Sequence, residues 1–207
     1  MIKEAEKYLN ADQATKFRLM DYYNNNCYPY VNPKRKYKIQ RFDNWCAMFT
    51  TVIASRCGLG SDRFPYEVSV FYQVQAAKEM GTFYTDRSKI KPNDLIVYDW
   101  KGDGVLDHVG IVVSSGIESI RVIEGNKNDS VGYRIVPLNS PAVVGFISTG
   151  YSSPQADLVT REPTEDERIG KLAKETIQGR YGNGNERKQA LGKDYDRVQT
   201  WITNYWQ

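Results

Sequence analysis

"FDNWCAMFTTVIASRCGLG", residues 42–60, holds two of the three cysteines of the chain, Cys46 and Cys57. Apolar side chains recur with helical spacing between the two cysteines and a glycine follows, so the pattern predicts one helix. Cys46 opens this helix just after two capping-type residues, Asp43 and Asn44. A helix N-terminus stabilises negative charge, whereas the C-terminal end at Cys57 disfavours a thiolate. The helix therefore favours Cys46 as a nucleophile and Cys57 as a packing residue.

A cysteine nucleophile needs a base, and the chain has one histidine, His108. Free cysteines are often buried in cores, and a lone histidine is more often structural, so the pair alone does not identify a site. In the next predicted strand, "VIEGN", Glu124 and Asn126 alternate onto one face. From that face we expect them to reach the second imidazole nitrogen and fix the tautomer of the histidine.

The order of the predicted elements indicates the fold class. Apolar periodicity predicts helices over residues 1–26, 46–57 and 67–80. Short β-branched stretches separated by turn residues predict five strands of a largely antiparallel sheet, at 94–100, 107–115, 119–126, 131–138 and 142–149. Helices followed by strands are typical of an α+β domain, which we assign to residues 1–149.

The remainder of the chain predicts a small second module. Residues 150–164 contain two prolines and few large apolar side chains, which is typical of a linker. Thr164 and Glu167 form a capping box that begins a helical region. Three short helices, at about 165–178, 185–191 and 195–205, predict a three-helix bundle that forms a domain over 165–207.

Four stretches of the first domain together resemble the CHAP family, the cysteine- and histidine-dependent amidohydrolases and peptidases. They are "NWCAMF", "KPNDLIVYDW", "DHVGIVV" and "VIEGN". The resemblance implies a papain-like fold in which Cys46 is the nucleophile and His108 the base. It also implies that Glu124 orients the histidine and Asn126 assists. Trp45, which precedes the nucleophile, is the expected substrate contact in this domain.

Two departures from the family pattern bear on the turn and on metals. The family has Pro-Gly-Asp before the first strand of the sheet where this chain has Pro92-Asn93-Asp94, and we expect the turn to survive. Some lytic members bind calcium through alternating acids ahead of the cysteine, but residues 34–44 contain a single acid, Asp43. We therefore expect no calcium there. One histidine and no Cys/His cluster also argue against zinc, and no cofactor is expected.

The C-terminal stretches "GRYGNG", "ERKQAL" and "DYDRVQ" resemble one CW-seven repeat, a three-helix unit of phage lysins that binds peptidoglycan. The resemblance implies that Arg187 contacts the ligand, with Tyr181 and Tyr195 as partners. The alternative that both tyrosines are core residues stays equally open. Residues 157–207 carry nine basic and nine acidic side chains, so binding must use specific contacts. Because a single weak site gains from multiplication, we expect self-association to a homo-oligomer.

These observations predict a phage-type endolysin that hydrolyses an amide bond of peptidoglycan. An N-acetylmuramoyl-L-alanine amidase is favoured over an endopeptidase of the stem or cross-bridge. The alternatives are a non-catalytic wall-binding or tail protein with a decayed papain-like domain, and a bacterial enzyme that remodels its own wall. The mild net charge of +3 requires no nucleic acid partner.

The expected location follows from what the N-terminus and the apolar runs contain. The N-terminal "MIKEAEKYLN" has no apolar core of signal-peptide length, and no apolar run is long enough to span a bilayer. We therefore expect synthesis in the host cytoplasm, no membrane insertion, and action on the wall after release by another protein.

Overall fold

The computed structural model describes residues 1–32, 34–151 and 165–205 of the chain. The chain divides into two compact units, Met1–Tyr151 and Ser152–Gln207. Residues 152–164 of the predicted linker 150–164, including Thr164 of the predicted capping box, lie outside the described residues, as do residues 33 and 206–207. The helices of the first unit are α1 (Ile2–Glu6), α2 (Gln13–Tyr22), α3 (Cys46–Arg56) and α4 (Val70–Glu79).

The N-terminal helical region is divided, whereas a single helix was predicted over residues 1–26. Asn10 adopts a positive φ of 58°, which ends the helical path after α1. Asp12 then caps α2 by accepting a hydrogen bond from the Thr15 N–H at 2.8 Å. After α2 the chain continues through a turn of π-helix, Tyr23–Cys27. The difference arises from one left-handed residue that the apolar spacing did not reveal.

Helix α3 is the central helix of the first unit. All its residues from Cys46 to Ala54 are buried, which is typical of a helix that is covered on every side. Asp43 and Asn44, the capping-type residues just ahead of Cys46, do not cap this helix. The N-cap residue is Trp45, which makes no side-chain capping bond within the described part of the chain. The Asp43 carboxylate instead accepts bonds from the Gln40 N–H at 2.7 Å and from a tyrosine hydroxyl.

Six antiparallel strands form one sheet in the order β1-β6-β2-β3-β4-β5. The strands are β1 (Phe83–Tyr84), β2 (Leu95–Tyr98), β3 (His108–Ser115), β4 (Ser119–Lys127), β5 (Ser130–Pro137) and β6 (Val143–Ile147). The five predicted strands correspond to β2 to β6. The additional strand β1 has two residues and pairs at the edge with β6, too short for a pattern to show. The α+β prediction is confirmed.

The sheet packs its two faces into two separate apolar clusters. Val97, Val109 and Ile123 belong to the larger cluster, which also contains the residues of α3. Alternate positions on the same strands, among them Tyr98 and Val122, belong to a smaller cluster. Helix α3 therefore packs on one face of the sheet, because its residues belong to the larger cluster and not to the smaller one.

A glycine permits the close approach of α3 to the sheet. A Cβ atom at Gly125 on β4 would lie 2.4 Å from Cβ and 2.5 Å from Cγ of Phe49 on α3. No real side chain tolerates such a contact without a shift of the backbone. Gly125 therefore lets the strand that carries Glu124 lie directly against the helix that carries Cys46.

The second unit contains α5 (Glu165–Ile177), α6 (Asn185–Leu191) and α7 (Tyr195–Tyr205), as predicted. Their core is formed by Ile169, Ala173, Leu191 and Val198. Arg168 on α5 pairs with Glu165 at 2.8 Å and with Asp194 at 2.5 Å. None of the helices in the described ranges combines the length and apolarity that a membrane span requires.

Candidate active site

Three elements of the first unit bring three polar side chains together. Cys46 is the first residue of α3, His108 is the first residue of β3, and Glu124 lies on β4. Their exposures are 4%, 8% and 0%, respectively, so the group is almost completely enclosed. The structure therefore unites the predicted nucleophile, base and orienting acid, which are far apart in the sequence.

The imidazole of His108 lies between the other two side chains. Its Nε2 is 3.3 Å from Oε2 of Glu124, a charge contact that is not aligned as a hydrogen bond. The Cys46 thiol lies close enough to the same ring to support its charged form. A thiol and a carboxylate beside one imidazole are the groups that a cysteine nucleophile requires.

The surroundings of His108 favour its charged form. Burial is the largest single effect and opposes the imidazolium, but the interactions with Cys46 and Glu124 outweigh it. Together they raise the pKa of His108 to about 9. For Glu124, burial likewise opposes ionisation, and the contacts with His108 and Arg134 outweigh it and lower the pKa of the carboxyl. The site thus holds an imidazolium beside a carboxylate at neutral pH.

Asn126 does not join this group, contrary to the expectation that it shares a face with Glu124. The ladder between β4 and β5 shifts register between Glu124 and Lys127, and Asn126 adopts a positive φ of 60°. Its side-chain amide donates to Oδ1 of Asn44 at 3.1 Å. The bulge thus directs the Asn126 side chain to Asn44, in the loop that precedes α3.

Trp45 lies in the core, with an exposure of 0%, contrary to its expected role as a substrate contact. Its indole N–H donates to Oδ1 of Asp129 at 3.1 Å, and Lys16 binds the same oxygen at 2.6 Å. The ring also packs edge-on against Phe49 at 6.1 Å. Trp45 therefore anchors the start of α3 to the turn between β4 and β5.

The other two cysteines lie away from the histidine. All three cysteines are free thiols. Cys27 is buried, and this burial raises its pKa to about 11, so it remains a neutral thiol. Cys57 follows the last residue of α3, at the opposite end of the helix from Cys46. Their positions agree with the interpretation that neither is a nucleophile.

The structure adds three residues that the sequence reasoning missed. Arg134 on β5 donates its Nε–H to both carboxylate oxygens of Glu124, at 2.9 and 2.8 Å. Tyr98 stacks on Trp100 at 4.2 Å, and both rings lie against His108. Trp100 is 42% exposed and so forms an aromatic wall beside the imidazole. Its place in "DLIVYDW", two residues beyond Tyr98 and in the same alternation, was the available signal.

A pocket lies beside the loop that precedes α3. It is lined by Arg35, Tyr37 and Ile39 from the loop before α3, by Val68 and Ser69, and by Asp43 and Asn44. The Arg35 guanidinium lies 3.4 Å from the centre of the Tyr72 ring, which holds it in place. Across the described ranges, no three His, Cys, Asp or Glu side chains are grouped to hold a metal ion.

The predicted wall-binding residues of the second unit make contacts within that unit. Arg187 donates to the Gly182 carbonyl at 3.1 Å and to Oδ1 of Asn183 at 2.8 Å. Tyr181 and Tyr195 both pack against the helical core. Both tyrosines therefore contribute to core packing. Arg187 stabilises the turn before α6 through its two hydrogen bonds.

Two stretches of the chain match families of known proteins. Residues 19–126, just over half of the chain, match the family model of the CHAP domain, and residues 170–205 match that of the CW_7 repeat. A crystal structure of an NlpC/P60 family protein from Bacillus cereus is 21% identical, covering 53% of this chain and 32% of its own, with a TM-score of 0.37. This chain thus spans about a third of that protein's length. No curated protein matches.

Proposed function

The chain belongs to the CHAP family, and from that premise we propose that it is a peptidoglycan hydrolase that cleaves an amide bond by cysteine nucleophilic catalysis. The observation that carries the proposal is the convergence of Cys46, His108 and Glu124 from three elements into one enclosed group. The reaction we favour is that of an N-acetylmuramoyl-L-alanine amidase. Endopeptidase cleavage of the stem or cross-bridge uses the same machinery and is the alternative.

The proposed mechanism begins with an ion pair of Cys46 thiolate and His108 imidazolium. The sulfur attacks the amide carbonyl carbon and forms a tetrahedral intermediate. His108 then gives its proton to the leaving amine, the C–N bond breaks, and a thioester remains. The neutral imidazole next takes a proton from water, which attacks the thioester and releases the carboxylic acid product and the thiolate. Glu124 keeps the imidazole oriented through both steps.

The oxyanion is stabilised in this proposal by backbone N–H groups at the start of α3. The first N–H groups of any helix have no partner within the helix. Trp45 supplies no side-chain cap, and Asp43 and Asn44 accept their hydrogen bonds from elsewhere. The N–H groups near Cys46 are therefore the donors that we assign to the developing negative charge.

Product analysis tests the proposal. Purified peptidoglycans of different cross-bridge types are digested with the protein, and the products are read by mass spectrometry. Intact stem peptides freed from the sugars support the amidase, and fragments cut within the peptide support the endopeptidase. New sugar reducing ends, or no products from any wall type, would contradict amide hydrolysis.

We predict that kcat/KM for wall hydrolysis falls as the pH rises through about 9. The pKa of His108 is raised to about 9, so the imidazolium persists through neutral pH and is lost above that value. The measurement is a profile of kcat/KM from pH 6 to 10.5. Glu124→Gln is the matched control, because removing the carboxylate charge should move the alkaline decline to lower pH. A wild-type decline centred near the ordinary histidine value would contradict the prediction.

We propose that the second unit binds peptidoglycan, which its match to the CW_7 repeat supports. Arg187 remains our candidate for ligand contact, and its contacts with the turn before α6 hold the guanidinium in a defined position. Self-association, which would multiply this single repeat, also remains a proposal. So does the biological setting of a phage endolysin that reaches the wall after release from the host cytoplasm.

We predict that Arg187→Ala weakens binding of the full-length protein to purified walls by about tenfold, as loss of one charged hydrogen bond would. Co-sedimentation with walls, in a Cys46→Ala background that prevents digestion, measures the effect. Lys171→Ala removes the same charge from an exposed position of α5 and should bind normally. Equal binding by the Arg187 variant and this control would assign Arg187 to the turn alone.

A further inference from the structure

Arg134 completes the surroundings of the carboxylate that faces the candidate base. It lies on β5, outside residues 19–126 that match the CHAP domain. Its Nε–H is shared between Oε1 and Oε2 of Glu124, at 2.9 and 2.8 Å. Because Glu124 is fully buried, this donor and His108 are the cationic groups that offset the cost of enclosing its charge.

A second contact fixes the direction of the guanidinium. Its central carbon lies 4.8 Å from the centre of the Trp100 ring. Trp100 stacks on Tyr98, and both rings lie against His108. The guanidinium is thus held by the Glu124 carboxylate through its Nε–H and by the Trp100 ring through its central carbon. A flexible lysine at this position would keep the charge but lose the planar contact.

The charged and titratable neighbours come from every adjoining element. Glu124 is faced by Tyr98 from β2, by His108 from β3 and by Arg134 from β5. Burial and the nearby carboxylate raise the pKa of Tyr98, so its phenol stays neutral. His108 in turn faces Cys46 on α3. The carboxylate and the sulfur thus interact with the same imidazole.

We propose that Arg134 is a positioning residue that keeps Glu124 ionised and aimed at His108. The inference deepens the function proposed above and rests on it. Arg134 touches neither the sulfur nor the imidazole nitrogens in this arrangement, and it acts only through the carboxylate. Without Arg134, His108 is the one remaining cation that offsets the cost of burying the Glu124 carboxylate. The carboxylate is then protonated more readily at mildly acidic pH, and the imidazolium loses part of its stabilisation.

The test compares Arg134→Met and Arg134→Lys with wild type. Alkylation of Cys46 by iodoacetamide is followed from pH 4.5 to 9, with the Cys46 peptide resolved by mass spectrometry from those of Cys27 and Cys57. For Arg134→Met we expect the acidic rise of the alkylation rate to move up by about one pH unit, and kcat/KM at pH 6 to fall by about tenfold. Arg134→Lys should recover part of both. A loss of fold stability alone would not move the pH dependence.

Two controls make the result decisive. Arg121→Met removes an exposed arginine that also stacks on an aromatic ring, Tyr133, and should leave the profile unchanged. In a Glu124→Gln background, Arg134→Met should have no further effect, because its route of action is gone. A profile of Arg134→Met that superimposes on wild type or moves to lower pH overturns the proposal, as does a full effect in the Glu124→Gln background.

The alkylation measurement separates this proposal from the proposed function. It needs no substrate, so a shifted alkylation profile in a protein that cleaves no wall would retain the role of Arg134 and reject the hydrolase. Normal wall hydrolysis by wild type, with an unshifted alkylation profile for Arg134→Met, would retain the hydrolase and reject the role of Arg134.

Discussion

Cys46→Ala is expected to reduce wall hydrolysis by about 10⁴-fold or more, because the reaction loses its only route to the covalent intermediate. The measurement is the initial rate at which soluble products are released from purified walls. Wild-type protein, diluted until its rate equals that of the variant, calibrates the size of the loss. The folded state should persist, since the change removes one sulfur atom from a first-turn position and alanine favours helix. An unchanged melting temperature within a few degrees is therefore the accompanying expectation.

The remaining cysteines provide the matched controls for this variant. Cys57→Ala removes a thiol from the opposite end of the same helix, and Cys27→Ala removes a buried one whose pKa is raised to about 11. Both should keep the activity within about twofold of wild type, apart from any loss of stability at the buried position. If Cys46→Ala and wild type released products at the same rate, the sulfur would not be the nucleophile.

The same experiment decides between the enzyme and a non-catalytic wall-binding protein. A decayed domain would show no hydrolysis by either protein, whatever the wall type. The enclosed His108 and Glu124 argue for the enzyme, because a buried imidazolium and carboxylate are costly to keep without a use. Wild-type hydrolysis that depends on Cys46 would remove the non-catalytic alternative.

Much of the fold follows from local patterns in the sequence. The apolar face between Cys46 and Cys57 predicted α3 within one residue, since this helix is bounded by a glycine. The strands β2 to β6 followed from β-branched stretches and turn residues. The split of the N-terminal helix depended on a single positive φ at Asn10, which spacing does not encode.

The candidate site was predictable in part. The residues themselves indicated Cys46, His108 and Glu124 as candidates, the resemblance to a family assigned their roles, and the fold brings the three side chains together. The prediction that Asn126 shares a face with Glu124 was wrong. Side chains alternate between the faces of a strand only while the pairing register is regular, and the register of β4 and β5 shifts just after Glu124. Arg134 could not be found from the sequence, because its contact depends on the register between β4 and β5.

Gly110→Ala is expected to damage both the fold and the site, because the Glu124 side chain passes over this residue on its way to His108. A Cβ at Gly110 would lie 2.5 Å from Cγ1 of Val122 and 2.8 Å from Cγ of Glu124. Its third neighbour, the Ile123 carbonyl oxygen at 3.3 Å, belongs to the backbone and cannot turn away. The strand must therefore shift or the carboxylate must leave its place.

The expected cost is about 1–3 kcal/mol in the free energy of unfolding, as for other overpacked cores. For a unit of this size that corresponds to a fall in Tm of about 2–4 °C for each kcal/mol. The effect on catalysis is larger, because a displacement of about 1 Å in a catalytic group lowers the rate by about 100-fold. We therefore expect kcat/KM to fall by about that factor at a temperature where the variant is still folded.

Gly116→Ala is the matched control, because the same substitution in the turn between β3 and β4 meets only the Ser119 carbonyl oxygen at 3.6 Å, an ordinary contact. Thermal unfolding by circular dichroism and wall hydrolysis are measured on both variants. The control should keep its Tm and its rate. If Gly110→Ala also kept both, Glu124 would reach His108 by a path that does not cross Gly110, and the close packing of β3 and β4 would not be what positions the carboxylate.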